Sequence, residues 1–450
     1  MSGVEITPAD VVPVQALTPG PIATAPAWRG TFAALRHRDF AVLMTSALVH
    51  MLAMQMGTVA FGYLAYRMSG SATALGLIGL AWGLPMLTLS LVGGVVADRF
   101  PRRTILMLTQ GTIGVSALIA FALIAAGQLQ LWHLFAVALL QGCAFAFNMP
   151  TRQAFIADIV GRGDLANAVA LNNANMNLMR VLGPAVAGLL IASPYVGAGG
   201  VFGLMAACYV FVVATILRIR GGRVRSGSAK GSGLEQLLEG LRHIRASRTL
   251  MVLLALGVVP MLLGMHYQML MPVFALGLLD AGPEGLGLLS MAAGIGALAG
   301  SVALAAAGNF PGKTRAQVLL GVAFGLGLLA FALAPSLPMA MLALVVVGAA
   351  SASYQALNNT LVMEATPPVF YGRVMSVYMM IWSLQPLATM PTARLADLIG
   401  ARPTVAGSGL MLALVVASVA LGRRTSVRPR SADTGLLKVG PAHRSAEDAQ

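Results

Sequence analysis

A chain of 450 residues that is 58% hydrophobic and only 10% charged, with a mean hydropathy of +0.81, excludes an ordinary soluble domain, because such a domain carries about a quarter charged residues. Its formal net charge of +14 points toward nucleic acid, but the basic residues stand in short loops between apolar runs with no aromatic-interleaved patch, so membrane topology accounts for the charge. Cys143 and Cys208 both lie inside apolar runs and offer neither a disulfide framework nor metal-ligand spacing.

Residues 1–38 open with a stretch rich in Pro, Ala and Thr that has no basic n-region and no short apolar core, so a disordered cytoplasmic tail is expected rather than a signal peptide. Twelve apolar segments follow, near 40–66, 72–97, 104–127, 131–156, 165–192, 199–217, 249–277, 285–308, 315–334, 338–363, 371–396 and 402–421. Each is close to the ~20 residues that a helix needs to cross a bilayer. The reading is an all-α membrane protein with two six-helix bundles, 39–217 and 249–421. Between them lies a cytoplasmic linker, 218–248, whose second part reads as a short amphipathic helix on the membrane surface. Residues 422–450 form a second disordered tail. Of the 29 Lys and Arg, 25 fall on one side of this layout, Arg152 and Arg162 among them. That bias sets both termini in the cytoplasm.

Between segments 2 and 3 stands Gly93-Gly94-Val95-Val96-Ala97-Asp98-Arg99-Phe100-Pro101-Arg102-Arg103. Positive-inside topology explains the arginines but not a Gly-Gly pair before an acid in a basic turn. Phe100-Pro101 and Arg103 recur as Phe310-Pro311 and Lys313, and Asp158 recurs as Glu364, so the halves echo each other. Two related halves about a pseudo-twofold axis are what alternating access by rocking requires.

The turn resembles the loop 2–3 signature of the major facilitator superfamily, with Gly94, Ala97, Asp98, Arg99, Arg102 and Arg103 matching and Val96 and Pro101 departing. The resemblance runs over the twelve-helix layout from about Asp39 to Gly422. It implies a gate latch: Asp98 facing the N-terminus of segment 11 near Gly372 and Arg373, where the helix dipole favours an anion, and Arg102 or Arg103 reaching Asp158. Such a latch would hold the outward-open state. Asn148-Met149-Pro150-Thr151-Arg152 and Gly372-Arg373-Val374-Met375-Ser376 are similar to the branch of enterobactin exporters and macrolide-efflux proteins. Gly183-Pro184, a helix kink, resembles the segment-5 signature of antiporter-type members.

Polar side chains deep in the span need a reason. Segments 3, 6, 9 and 12 read as nearly free of them and hence lipid-facing. Segment 5 sets Asn173, Asn177 and Arg180 on one face, and segment 11 does the same with Tyr378, Trp382 and Gln385. With Tyr354 and Asn358 of segment 10, they are the candidate lining of a cavity for a bulky, partly apolar solute. All 15 Asp and Glu fall in tails, loops or segment ends, and Ala138 replaces the arginine three residues before Gln141 that the superfamily's segment-4 signature carries. His50, His266 and Asp39 are therefore the candidates for proton coupling. The resemblance implies a secondary transporter of the inner membrane, monomeric and without a cofactor, that exports a drug, macrolide or siderophore-like solute, with proton antiport as one form of coupling. A lipid carrier and a non-transporting sensor or scaffold are the alternatives. An enzyme is not expected, since no nucleophile–base set is legible.

Overall fold

The computed structural model describes residues 33–219, 233–367, 370–382 and 385–426. The expected tails and the Gly/Ser/Arg part of the linker lie almost wholly outside these. The N-terminal half consists of α1 (Arg38–Ser69), α2 (Ala72–Arg99), α3 (Arg102–Ala125), α4 (Leu131–Ala192) and α5 (Gly197–Arg218). A linker helix, α6 (Gly233–Ala246), leads to the C-terminal half. That half contains α7 (Arg248–Leu263), α8 (Tyr267–Pro272), a π-helical turn (Val273–Leu278), α9 (Gly282–Ala307), α10 (Lys313–Leu333), α11 (Leu337–Glu364), α12 (Tyr371–Trp382), α13 (Gln385–Ile399) and α14 (Ala401–Ser426). Eleven spans among the described residues are long and apolar enough to cross a membrane. The twelfth segment, read at 371–396, is carried by the shorter pair α12 and α13.

Three elements differ from the expected layout. Segments 4 and 5 are not separated by a loop, because the helix runs unbroken through 131–192 and holds the spans Leu131–Val160 and Asn167–Ala192. Arg152 therefore lies within a helix, 6% exposed, and not in an inner loop. Segment 7 is broken by a turn at 264–266 between α7 and α8, with Pro260 and Pro272 on either side. A proline removes a backbone donor and strains the helix that contains it. Segments 3 and 9 are not free of polar groups either: Gln110 and Gln317 are both fully buried. A lipid-facing helix still turns one stripe inward, and these glutamines lie on it.

Small residues bring the helices together. A side chain at Gly142 would collide with the Trp82 carbonyl, one at Gly296 with that of Val345, and one at Gly348 with that of Ala293. In a bilayer such close backbone approach supplies dispersion contact where hydrophobic burial cannot. The two halves meet through α4 on α9 and α2 on α13. At the end remote from the basic loops, Gly188 packs against Gly287, Gly76 against Ala393, and Gly277 beneath the Tyr66 hydroxyl. The basic end differs. There α12 packs on α6 and α7 of its own side of the chain, and the Asp98 side chain at the end of α2 is 74% exposed. The halves are closed at one end and parted at the other.

Gly348→Val should cost about 1–3 kcal/mol through overpacking, read as a lower melting temperature of the purified protein in detergent. Gly407→Ala, at a helix position where a Cβ meets nothing, should leave that temperature unchanged or raise it.

Candidate functional site

A cavity of about 320 Å³ lies between the halves, lined by α1, α2, α3, α4 and α5 from one and α8, α9 and α13 from the other. Glycines 57, 62 and 79 on α1 and α2 leave this space unfilled. Its walls are mostly apolar, with Phe61, Trp82 and Phe145 as the broad surfaces; the rings of Trp82 and Phe145 stand 5.3 Å apart. The polar handles are the amides of Gln141, Gln268 and Gln385 and the hydroxyls of Thr58, Tyr209, Ser290 and Thr389, and none of the lining side chains is charged. Gln141 is held in place by donating to Ser116 Oγ at 3.1 Å. Such a surface accepts a large apolar body and a few hydrogen-bonding groups.

Of the residues expected to line a cavity, Gln385 does so. Tyr354, Asn358 and Tyr378 instead bond between helices inside the C-terminal half, where they line a separate space of about 10 Å³. Tyr354 Oη donates to the Leu256 carbonyl at 2.8 Å, Gln317 Nε2 to Asn358 Oδ1 at 2.6 Å, and Asn358 Nδ2 to the Tyr378 hydroxyl at 3.2 Å. A buried amide satisfied on several sides fastens helices together; these three residues join α7, α10, α11 and α12. On α4, Asn173 and Arg180 are exposed and Asn177 is half-buried. The Arg180 backbone touches Gly294 of α9, while Gly183 packs on Gln55 of α1 and the Pro184 carbonyl on Gly287. Gly183 and Pro184 thus seat α4 against α1 and α9. The Trp382 side chain lies outside the described residues.

Neither histidine lines the cavity. His50 is fully buried in the N-terminal half, edge-on to Tyr209 at 5.7 Å. His266 is 2% exposed and bonds Ser408 Oγ at 3.0 Å, across to α14. Asp39 stands in the first turn of α1.

At the basic end, Arg102 is the centre of a knot within the N-terminal half. Its Nη1 reaches Asp158 at 2.5 Å and the Ala154 carbonyl at 3.1 Å, and its Nε reaches the Ala97 carbonyl at 3.3 Å. The other half repeats the device, with Lys313 on Glu364. Arg103 donates to the Leu217 carbonyl, and Arg99 is exposed. Asp98 does not meet segment 11 in this conformation. Its side chain is 74% exposed, with Arg102 Nη2 at 3.8 Å, because the halves have separated at this end. The start of segment 11 holds the linker helix instead: Arg373 pairs with Glu239 at 3.0 Å, and His243 stacks on Phe370 at 4.1 Å.

Residues 29–420 match the family model described as transmembrane secretion effector, a major facilitator family. The chain belongs to that family. It is 26% identical to the multidrug efflux pump Tap of Mycolicibacterium fortuitum, over 81% of this chain and 91% of that protein. With macrolide efflux protein A of Streptococcus pyogenes it shares 23% identity over 86% and 94%, and with the enterobactin exporter EntS of Shigella boydii 25% over 86% and 89%. The fold also matches the crystal structure of the nucleoside transporter NupG, with a TM-score of 0.69 at 12% identity, covering 85% of this chain and 98% of that one. This transporter is therefore a multi-pass membrane protein of the major facilitator superfamily acting on a small molecule, and not an enzyme.

The sequence hid two groups in this transporter. Arg152 is buried among His50, Gln110 and Tyr209, with no partner for its Nε and Nη2. It stands 206 positions before Asn358, and Gln110 stands 207 before Gln317. The two halves therefore carry matched buried pairs, one of them cationic. The half-to-half offset was the signal that could have found it. The second group is Asp397, at the closed end, where it binds the start of α2.

Cysteine placed at Gln141 or Gln385, in a background with Cys143 and Cys208 replaced by serine, should react with a hydrophilic maleimide in inside-out membranes. Cysteine at Asn358 should not. Reaction at Asn358 with protection at Gln385 would move the binding cavity into the C-terminal half.

Proposed function

We propose that this transporter exports a bulky, mostly apolar organic solute of the drug, macrolide or siderophore class by alternating access. The observation that carries the reading is the uncharged, aromatic-walled cavity between two halves that are closed at one end and parted at the other. The positive-inside bias makes the parted, basic end cytoplasmic, with both termini there, so the conformation described is inward-open in the inner membrane. The chain works as a monomer, and its positive charge serves topology rather than nucleic acid.

Gating in this reading exchanges contacts at the two ends. When the basic end closes, Asp98 comes to the N-terminus of segment 11 near Gly372, with Arg99, Arg103 and Arg373 around it and the Arg102–Asp158 pair as its anchor. A lipid-carrier reading is weaker here, because a charged headgroup would find no charged partner among the lining side chains.

Proton antiport through a buried imidazole is the coupling we infer. Of the candidates, His266 is better placed than His50 or Asp39: it borders the break in segment 7 and bonds α14, so rocking would change its hydration. A coupling group must bind a proton in one state and release it in the other.

A deletion strain should accumulate, and an overexpressing strain should exclude, members of one chemical class in a panel of macrolides, siderophores and dyes. Equal sensitivity of the two strains across the panel would contradict export. In everted vesicles, uptake should follow an imposed pH gradient in the wild type and lose that dependence in His266→Ala. Uptake indifferent to the gradient in the wild type would make the chain a facilitator.

A further inference from the structure

The closed end is sealed by small residues packed backbone to backbone, with one acid among them. Asp397 lies in the last turn of α13, and the residues that it touches open α2 in the other half of the molecule. Its Oδ2 accepts from the Ser71 hydroxyl at 2.6 Å and from the Thr73 N–H at 2.8 Å, and its Oδ1 accepts from the Ala72 N–H at 2.7 Å. These are donors that a helix start leaves unsatisfied, and the dipole there favours a negative charge. Ser71 already caps α2 through its own side chain. The helix therefore has a cap within its own sequence, and the bond to Asp397 is an addition that joins the halves. Gly70, at φ +62, turns the chain sharply out of α1 so that the start of α2 faces α13.

The same arrangement can be built once more at the opposite end. Asp98 is the penultimate residue of α2, and segment 11 begins at Tyr371 and Gly372. One acid ends segment 2 and faces the start of segment 11; the other ends segment 11 and faces the start of segment 2. In this conformation Asp397 is engaged across the halves, while the Asp98 side chain is 74% exposed and the start of segment 11 holds the linker helix. Resting on the alternating-access reading above, we propose that Asp397 and Asp98 are alternate latches on one pair of segments. Each binds the other segment's N-terminus only when its own end is closed, with Asp397 the latch of the end remote from the basic loops.

A gate of this kind has to remain charged through the working pH range. Partial burial alone would raise the Asp397 carboxyl, which lies one residue past the span read at 371–396. The bonds from Ser71, Thr73 and Ala72 outweigh burial and hold it below the ordinary aspartate range. The sign follows from linkage. A depressed acid contributes its stabilisation above the ordinary aspartate range and gives it up only as pH falls through the lowered value. The latch is thus formed throughout neutral pH, and it opens by exchange with the other closure rather than by titration.

The test reads conformation directly and requires no transported solute, so its failure is distinct from failure to find a substrate. In the background with Cys143 and Cys208 replaced by serine, Ser290→Cys puts a thiol in the cavity wall. Intact cells are treated with a membrane-impermeant maleimide, which reaches that thiol only when the end held by Asp397 opens. Asp397→Asn should raise the labelling rate about tenfold, the scale of losing a helix-cap interaction. Ser71→Ala, which leaves the carboxylate in place, should raise it less, and Asp98→Asn should lower it. Only chain recovered from the membrane and eluting as a single species is scored; if Asp397→Asn does not accumulate, Ser71→Ala carries the test. Equal labelling in the parent and the folded Asp397 or Ser71 variants would reduce Asp397 to a local helix cap and overturn the proposal. Asp98→Asn raising the rate would overturn the reciprocal pairing.

Discussion

A charge in a membrane is tolerable only within reach of water or a partner, and this constraint governs where the transporter can place its switches. Along the span the halves touch through glycine and backbone, as where Gly294 meets the Arg180 carbonyl and, nearer the closed end, Gly188 meets Gly287. Such contacts are short and dry, and they give no preference between states beyond shape. The ion pairs and the carboxylate that bridges the halves stand toward the two ends of the molecule. At the basic end the Arg102–Asp158 and Lys313–Glu364 pairs brace each half internally. At the other end Asp397 binds across the halves.

This separation explains why the cavity can be apolar without making the protein immobile. Its lining carries no charge to be stranded when access changes sides. The amides Gln141, Gln268 and Gln385 offer hydrogen bonds that water or a solute can satisfy equally well. The buried groups of Tyr354, Asn358 and Tyr378 have a different role, because their bonds join α7, α10, α11 and α12 within the C-terminal half. A rocking mechanism needs both: rigid halves, and an interface that exchanges contacts at little cost.

The fold was legible because span length and the positive-inside bias are strong signals that survive without tertiary information. The site was less so. Helical spacing places Tyr378 and Gln385 on one face, yet Tyr378 bonds Asn358 inside the C-terminal half while Gln385 stands in the cavity wall. Periodicity also assumes an unbroken helix, and segment 7 is broken at 264–266. Arg152 read only as one of the basic residues of the inner side, but it lies buried inside the long helix α4. Asp397 read only as a segment end. Its bonds to residues 71–73 cross more than three hundred positions, which no local pattern can display.

Alternating access requires closure and opening of the end where α2 meets α13. A Cβ built at Gly76 would lie 2.7 Å from that of Ala393, near enough for a disulfide after a small shift. The decisive measurement is efflux by the Gly76→Cys, Ala393→Cys transporter, without its native cysteines, before and after oxidation. Alternating access predicts that efflux stops when the bond forms and returns on reduction. An oxidised, fully cross-linked transporter that exports at the unlocked rate would contradict it.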